Sequence, residues 1–98
     1  MKANDLIAGL PGETIVRQGL GDLRSGNRSI AACLVSIARP RLDRAGLMER
    51  NAFELVPEPE LELYRLLREE GGDAYSRYNS LVRELVSFEQ ALDHRLSR

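Results

Sequence analysis

The sequence predicts an all-α fold, a small antiparallel bundle of about four main helices that ends in a long C-terminal helix. Glycines and prolines divide the chain into segments whose apolar residues recur every three or four positions, as on one face of a helix. Sustained alternation of apolar and polar residues is missing, and no Asn-Gly or Asp-Gly hairpin turn occurs. Aromatic residues make up only 5% of the chain, so the core must consist mainly of aliphatic side chains, which suits helix-on-helix packing.

The length and composition predict one globular domain over residues 1–98, with residues 1–4 and 97–98 frayed. Apolar residues account for 43% and charged residues for 30%, a balance that excludes a disordered chain. The N-terminal segment has no apolar core of a signal peptide, and no apolar run approaches the 18 or so residues of a membrane span. We therefore expect a cytoplasmic protein that does not enter a membrane.

The first helix is expected to begin at Pro11 or Glu13 and to run to Ser25, with Gly26 as its stop. Its predicted buried positions are Ile15, Val16, Leu20 and Leu23. Gly19 and Gly21 inside it each cost about 1 kcal/mol relative to alanine, and close approach of another helix would explain them.

The next helix is expected to start near Asn27 or Ser29, which are both good N-caps. Its residues 30–38 are apolar almost all round, which is typical of a central, buried helix. Pro40 either kinks this helix or lies in the first turn of a short following helix that ends at Gly46.

Residues 46–57 are interpreted as a connection that packs on the bundle, because they include Leu47, Met48, Phe53, Leu55 and Val56. The Pro57–Glu60 stretch then resembles a helix start, with proline and carboxylates suited to a first turn. This helix should run to about Glu70, where two glycines stop it, and its apolar face consists of Leu63, Leu66 and Leu67 with Tyr64 beside them.

The last helix should be capped by Asp73 and reach Leu96. Apolar residues step along it by 3, 4, 3 and 4 positions, which is a heptad pattern: Tyr78, Leu81, Leu85, Phe88 and Leu92. Tyr75, Val82 and Val86 widen this face, which favours a bundle over a two-stranded coil. A helix of about 23 residues is roughly 35 Å long and can outreach its neighbours, which is a route to a dimer.

No group of residues carries the chemistry of an enzyme. His94 is the only histidine and Cys33 the only cysteine, so neither a catalytic set nor a zinc site is predicted. Cys33 is expected to be a small core residue and His94 a surface residue. The glutamates at 58, 60, 62, 69 and 70 are expected on a solvated face rather than in an acid–base pair. We therefore predict a protein without cofactor, metal or catalytic activity.

The leading functional hypothesis is a protein–protein interaction module, which associates with itself as a dimer or binds another protein. Its predicted partner surface consists of Tyr64, Tyr75, Tyr78, Leu85, Phe88 and Leu92. The tyrosines alternatively line the rim of the core around the Gly71-Gly72 turn. The alternative function is association with nucleic acid through a basic patch of Arg39, Arg41 and Arg44, although the net charge of −1 does not favour it.

Overall fold

The computed structural model describes residues 6–48 and 55–97. These residues form five α-helices and no strand, so the predicted all-α fold is confirmed. Four are the main helices and α3 is a short one. In chain order they are α1 (Glu13–Arg24), α2 (Ile30–Ile37), α3 (Arg39–Arg44), α4 (Pro59–Glu70) and α5 (Ala74–Leu96).

Helices α1 and α2 form a closely packed pair. A Cβ atom built on Gly19 of α1 would lie 2.3 Å from the carbonyl oxygen of Ala31 and 2.4 Å from Cγ2 of Val35 on α2. The predicted close approach is therefore confirmed at Gly19. It is wrong at Gly21, which has nothing within 4 Å of its Cβ position because it faces away from α2.

The central position of α2 follows from its apolar sequence. Residues 31–36 are all buried, and α1 and α4 both pack against this helix. Ser29 begins the helix as predicted, since its hydroxyl accepts a hydrogen bond from the Ala32 N–H at 3.1 Å. Ser29 also donates to Asp22 of α1 at 2.5 Å, which fixes the turn between the two helices.

Ser36 is the buried polar side chain of this core, at 8% exposure. Its hydroxyl donates to the Ala32 carbonyl at 2.9 Å and accepts from the Val56 N–H at 3.1 Å. Val56 is itself buried, so this hydrogen bond anchors the segment that leads into α4. Every buried polar group needs such a partner, because leaving one unsatisfied costs about 1–3 kcal/mol.

The short helix α3 settles the two interpretations of Pro40 in favour of a new helix. Pro40 lies in its first turn, and Gly46 follows it with a φ of +73°. Beyond it, Leu47 and Val56 are buried, and Met48 and Leu55 pack partly buried against the core. The middle of the predicted connection, including Phe53, lies outside the described residues, as do residues 1–4 and 98.

Helices α4 and α5 are joined by a tight turn and pack against each other. Gly71 and Gly72 both have positive φ, +83° and +77°, which only glycine adopts without cost. Asp73 then caps α5 by accepting from the Ser76 N–H at 3.1 Å. The predicted ends of this helix are confirmed, and its 23 residues, about 35 Å, cover most of the 40 Å length of the molecule.

The C-terminal end of α5 is hydrogen-bonded to the first described residues of the chain. Arg95 donates hydrogen bonds from Nη1 to the carbonyl oxygens of Leu6 and Ala8, both at 2.8 Å. Ile7 between them is buried in the core. The Gly9 N–H donates to Glu13 at 2.8 Å, and this backbone hydrogen bond is the main reason that the Glu13 pKa is lowered.

Candidate interaction surface

The heptad face of α5 is part of the core of the chain. Leu85, Phe88 and Leu92 are only 4%, 0% and 0% exposed. A Cβ atom built on Gly12 would lie 3.3 Å from Cβ of Phe88, and Ile15 and Val16 of α1 line the same crevice. The prediction that these three residues contribute to a partner surface is therefore wrong, because helices of the same chain already cover the heptad face.

The predicted tyrosines divide into two kinds. Tyr64 of α4 and Tyr78 of α5 are half-buried, and their rings meet edge to face with centroids 5.9 Å apart at 72°. These two tyrosines lie at the rim of the core, as the alternative interpretation proposed. Tyr75, one turn earlier on α5, is 67% exposed and remains available to a partner.

A second apolar surface runs along α5 beside the buried heptad face. Among the described residues four large apolar side chains are strongly exposed, and three of them belong to α5: Tyr75 (67%), Val86 (42%) and Leu96 (42%). Tyr75 and Val86 are 11 residues apart, close to three helical turns, so they share one face. Leu96 lies about 80° from Val86 and is in line with Tyr78 on the heptad side of α5. Half-buried Val82 lies between Tyr75 and Val86 on this face. We call Tyr75, Val82 and Val86 the outer stripe.

The sequence predicts that Tyr75, Val82 and Val86 widen the heptad face, and it places Tyr75 also in the predicted partner surface. It does not predict that Val86 is exposed. Periodicity shows that a face of a helix is apolar, whereas only the positions of the other helices decide which part of it is covered.

The fourth exposed apolar side chain, Leu61, lies on α4 at 68% exposure. It lines a shallow, open depression of about 490 Å³ together with Tyr64, Arg65, Arg68 and Glu69. The guanidinium of Arg65 is occupied by Glu62 and Glu69, each at 2.6 Å. This pairing, above all the hydrogen bond with Arg65, lowers the pKa of Glu62. The depression therefore holds the exposed Leu61 beside Arg65 and Glu69, which are paired with each other.

The predicted basic patch is largely neutralised within the chain. Arg39 pairs with Asp43 of the same helix at 3.3 Å, and Arg41 pairs with Asp93 of α5. Arg44 is exposed and forms no ion pair with a described residue. Glu89 lies beside this cluster, and its pKa is raised by burial and by Asp93, while Arg41 opposes the shift. Two of the three arginines thus already have a carboxylate partner.

The remaining reactive groups lie apart from one another. Cys33 is fully buried, as predicted, and burial raises the pKa of its thiol to about 11, so that it stays protonated at neutral pH. His94 is exposed on the last turns of α5. Across residues 6–48 and 55–97, no three His, Cys, Asp or Glu side chains come together as a group that could hold a metal ion.

The comparisons with known proteins identify no family for this chain. The chain matches no protein-family model, no curated protein and no solved structure. In the part of the chain that the structure describes, none of the helices combines the length and the apolar character needed to cross a membrane.

Proposed function

We propose that this protein is a non-enzymatic interaction module that presents the outer stripe of α5 to a helix of a protein partner. The observation that carries the proposal is the alignment of Tyr75 and Val86, two of the four strongly exposed apolar side chains, with half-buried Val82 on the same face of one helix. Single exposed apolar residues are ordinary on protein surfaces, whereas aligned ones are typical of contact sites.

The shape of the stripe determines the kind of partner. It lies on one helix of 23 residues, and its side chains recur at the spacing that another helix presents. Tyr75 adds a rigid ring with a polar hydroxyl, which is favoured at interfaces because it loses little conformational entropy on binding. A helix with its own apolar stripe fits this surface better than a small molecule, which requires a concave site.

A photo-crosslinking experiment in cells of the source organism tests this proposal. The photoreactive residue p-benzoylphenylalanine is placed at Val86 on the stripe and, as the matched control, at Ser87, which is exposed and about 100° further round the helix. We expect a discrete adduct from position 86 that position 87 does not give. This adduct should disappear when Tyr75→Asp is introduced in the same chain. Equal adducts from both positions, or none from position 86, would overturn the proposal.

A further inference from the structure

We infer that residues 6–11 form a strap that opens as a unit about Gly12 while helices α1–α5 stay packed, and that Arg95 is the latch that holds the strap closed. The strap is separate from the outer stripe, and its opening is a conformational property that the proposed function does not use. Its hydrogen bonds, its buried side chains and the glycine that follows it all support this behaviour.

One side chain connects the strap to the other end of the chain by hydrogen bonds. Arg95, in the last turn of α5, donates from Nη1 to the carbonyl oxygens of Leu6 and Ala8, both at 2.8 Å. The other hydrogen bonds of the strap with described residues stay within residues 7–13. Because both carbonyls share one donor group, loss of this guanidinium releases the strap from α5 in a single step.

Gly12 has the properties of a hinge between the strap and α1. Its φ of +80° lies in the left-handed region, which glycine adopts without cost. No side chain caps the start of α1 at this residue, and the preceding Pro11 has no N–H that could hold the chain in place. The Cβ position of Gly12 is 3.3 Å from Cβ of Phe88, so Gly12 itself is packed against α5. The opening can therefore end at Gly12 and leave α1 where it is.

Two apolar side chains anchor the strap in the core. Ile7 and Leu10 are 1% and 8% exposed, whereas the two residues between them are exposed. Opening of the strap uncovers the surface of these two side chains and the end of the core beneath them, while global unfolding exposes the whole core. A local opening that breaks so few contacts costs less free energy than global unfolding and therefore occurs more often.

Thiol labelling with monobromobimane at increasing urea concentrations tests the strap. Ile7→Cys in a Cys33→Ala background reports opening of the strap, and the native Cys33, fully buried on α2, reports unfolding of the core. We expect the thiol at position 7 to react at least about tenfold faster than Cys33, with a weaker dependence on urea, because that dependence scales with the surface exposed. Leu10→Cys in the same background should give the same urea dependence as position 7. Equal rates and equal urea dependence at positions 7 and 33 would overturn the strap.

A substitution of Arg95 tests the latch. Adding Arg95→Met to the Ile7→Cys protein should speed labelling about tenfold, because methionine keeps an apolar side chain but donates no hydrogen bond. Arg95→Lys, which can still donate, should lie between the two. Arg83→Met is the matched control, since Arg83 is exposed on α5 and has no ion pair with a described residue. Circular dichroism checks that each variant is folded. An unchanged rate in Arg95→Met, or the same acceleration in Arg83→Met, would overturn the latch.

Discussion

Gly19 and Gly21 lie two residues apart on α1 and differ in what surrounds them. The Cβ position of Gly19 is 2.3 Å from a carbonyl oxygen of α2, whereas that of Gly21 is open. We expect Gly19→Ala to lower the free energy of unfolding by about 1–3 kcal/mol, because α1 and α2 must separate to admit the methyl group. Gly21→Ala should raise it by up to about 1 kcal/mol through helix propensity.

Equilibrium urea denaturation of the two variants and the wild type measures both changes. Each variant serves as the control for the other, since the chemical change is the same. If Gly19→Ala stabilised the protein as much as Gly21→Ala does, the close contact between α1 and α2 would be wrong.

Other single residues show which roles a sequence can reveal. The prediction that Cys33 is a core residue is confirmed. The sequence could reveal this role because the immediate neighbours of Cys33 are all apolar. Ser36 was not recognised, because the Val56 N–H that needs its hydroxyl is 20 residues away in the chain. The sequence could not distinguish Gly19 from Gly21 for the same reason, since the atoms that crowd Gly19 belong to another helix.

At the scale of the helices, Asp73 controls the start of α5. The pKa of its carboxyl group is lowered because the backbone N–H and the hydroxyl of Ser76 donate hydrogen bonds to the carboxylate. A lowered pKa means that the capping contribution is present above the ordinary aspartate pKa of about 3.9 and is lost as the pH falls through the lower value of the folded state. Asp73→Ala should therefore be less stable than the wild type at neutral pH, with a difference that shrinks in acid.

Urea midpoints measured between about pH 7 and pH 2 test this cap. Asp73→Asn is the matched control, because its amide oxygen still accepts the hydrogen bond but does not titrate in this range. The Asp73→Asn protein should retain part of the stability without its acid dependence. A constant difference between Asp73→Ala and the wild type at all pH values would contradict the role assigned to the carboxylate.

The ends of the helices were predictable because their signals are local. Ser29 and Asp73 cap the helices they were expected to cap, and the glycine pair at 71–72 ends α4 at the predicted residue. Pro40 left two possibilities, since a proline suits both a kink and a first turn. The exposed face of α5 was not predictable, because both the heptad face and the outer stripe are apolar and the packing of α1 and α2 selects between them.

At the scale of the whole molecule, the two halves of the chain carry opposite net charge. Residues 1–50 contain 8 basic and 5 acidic groups, and residues 51–98 contain 6 basic and 10 acidic groups. Among the ion pairs of the described residues, only Arg41–Asp93 joins the two halves. The others connect residues three to seven positions apart, so the uneven charge persists at the surface.

This distribution bears on the alternative function, binding of nucleic acid. A site that used all three arginines of the basic patch would give a slope of about −2.7 for the logarithm of affinity against that of salt concentration. Arg39 and Arg41 are instead engaged by Asp43 and Asp93, whose carboxylates also repel phosphate. Fluorescence anisotropy with a labelled DNA duplex and with a labelled RNA should accordingly show no binding at about 20 mM salt, where phosphate contacts are strongest.

Nucleic-acid binding through the basic patch would give a distinct result in this titration. Binding that weakens steeply with salt and is lost in Arg44→Ala, but not in the control variant Arg83→Ala on α5, would establish the basic patch as a nucleic-acid site. Loss in Arg83→Ala alone would instead place the nucleic-acid contact on α5. The two variants therefore locate any nucleic-acid site in one titration, because Arg44 and Arg83 are both exposed but lie on different helices.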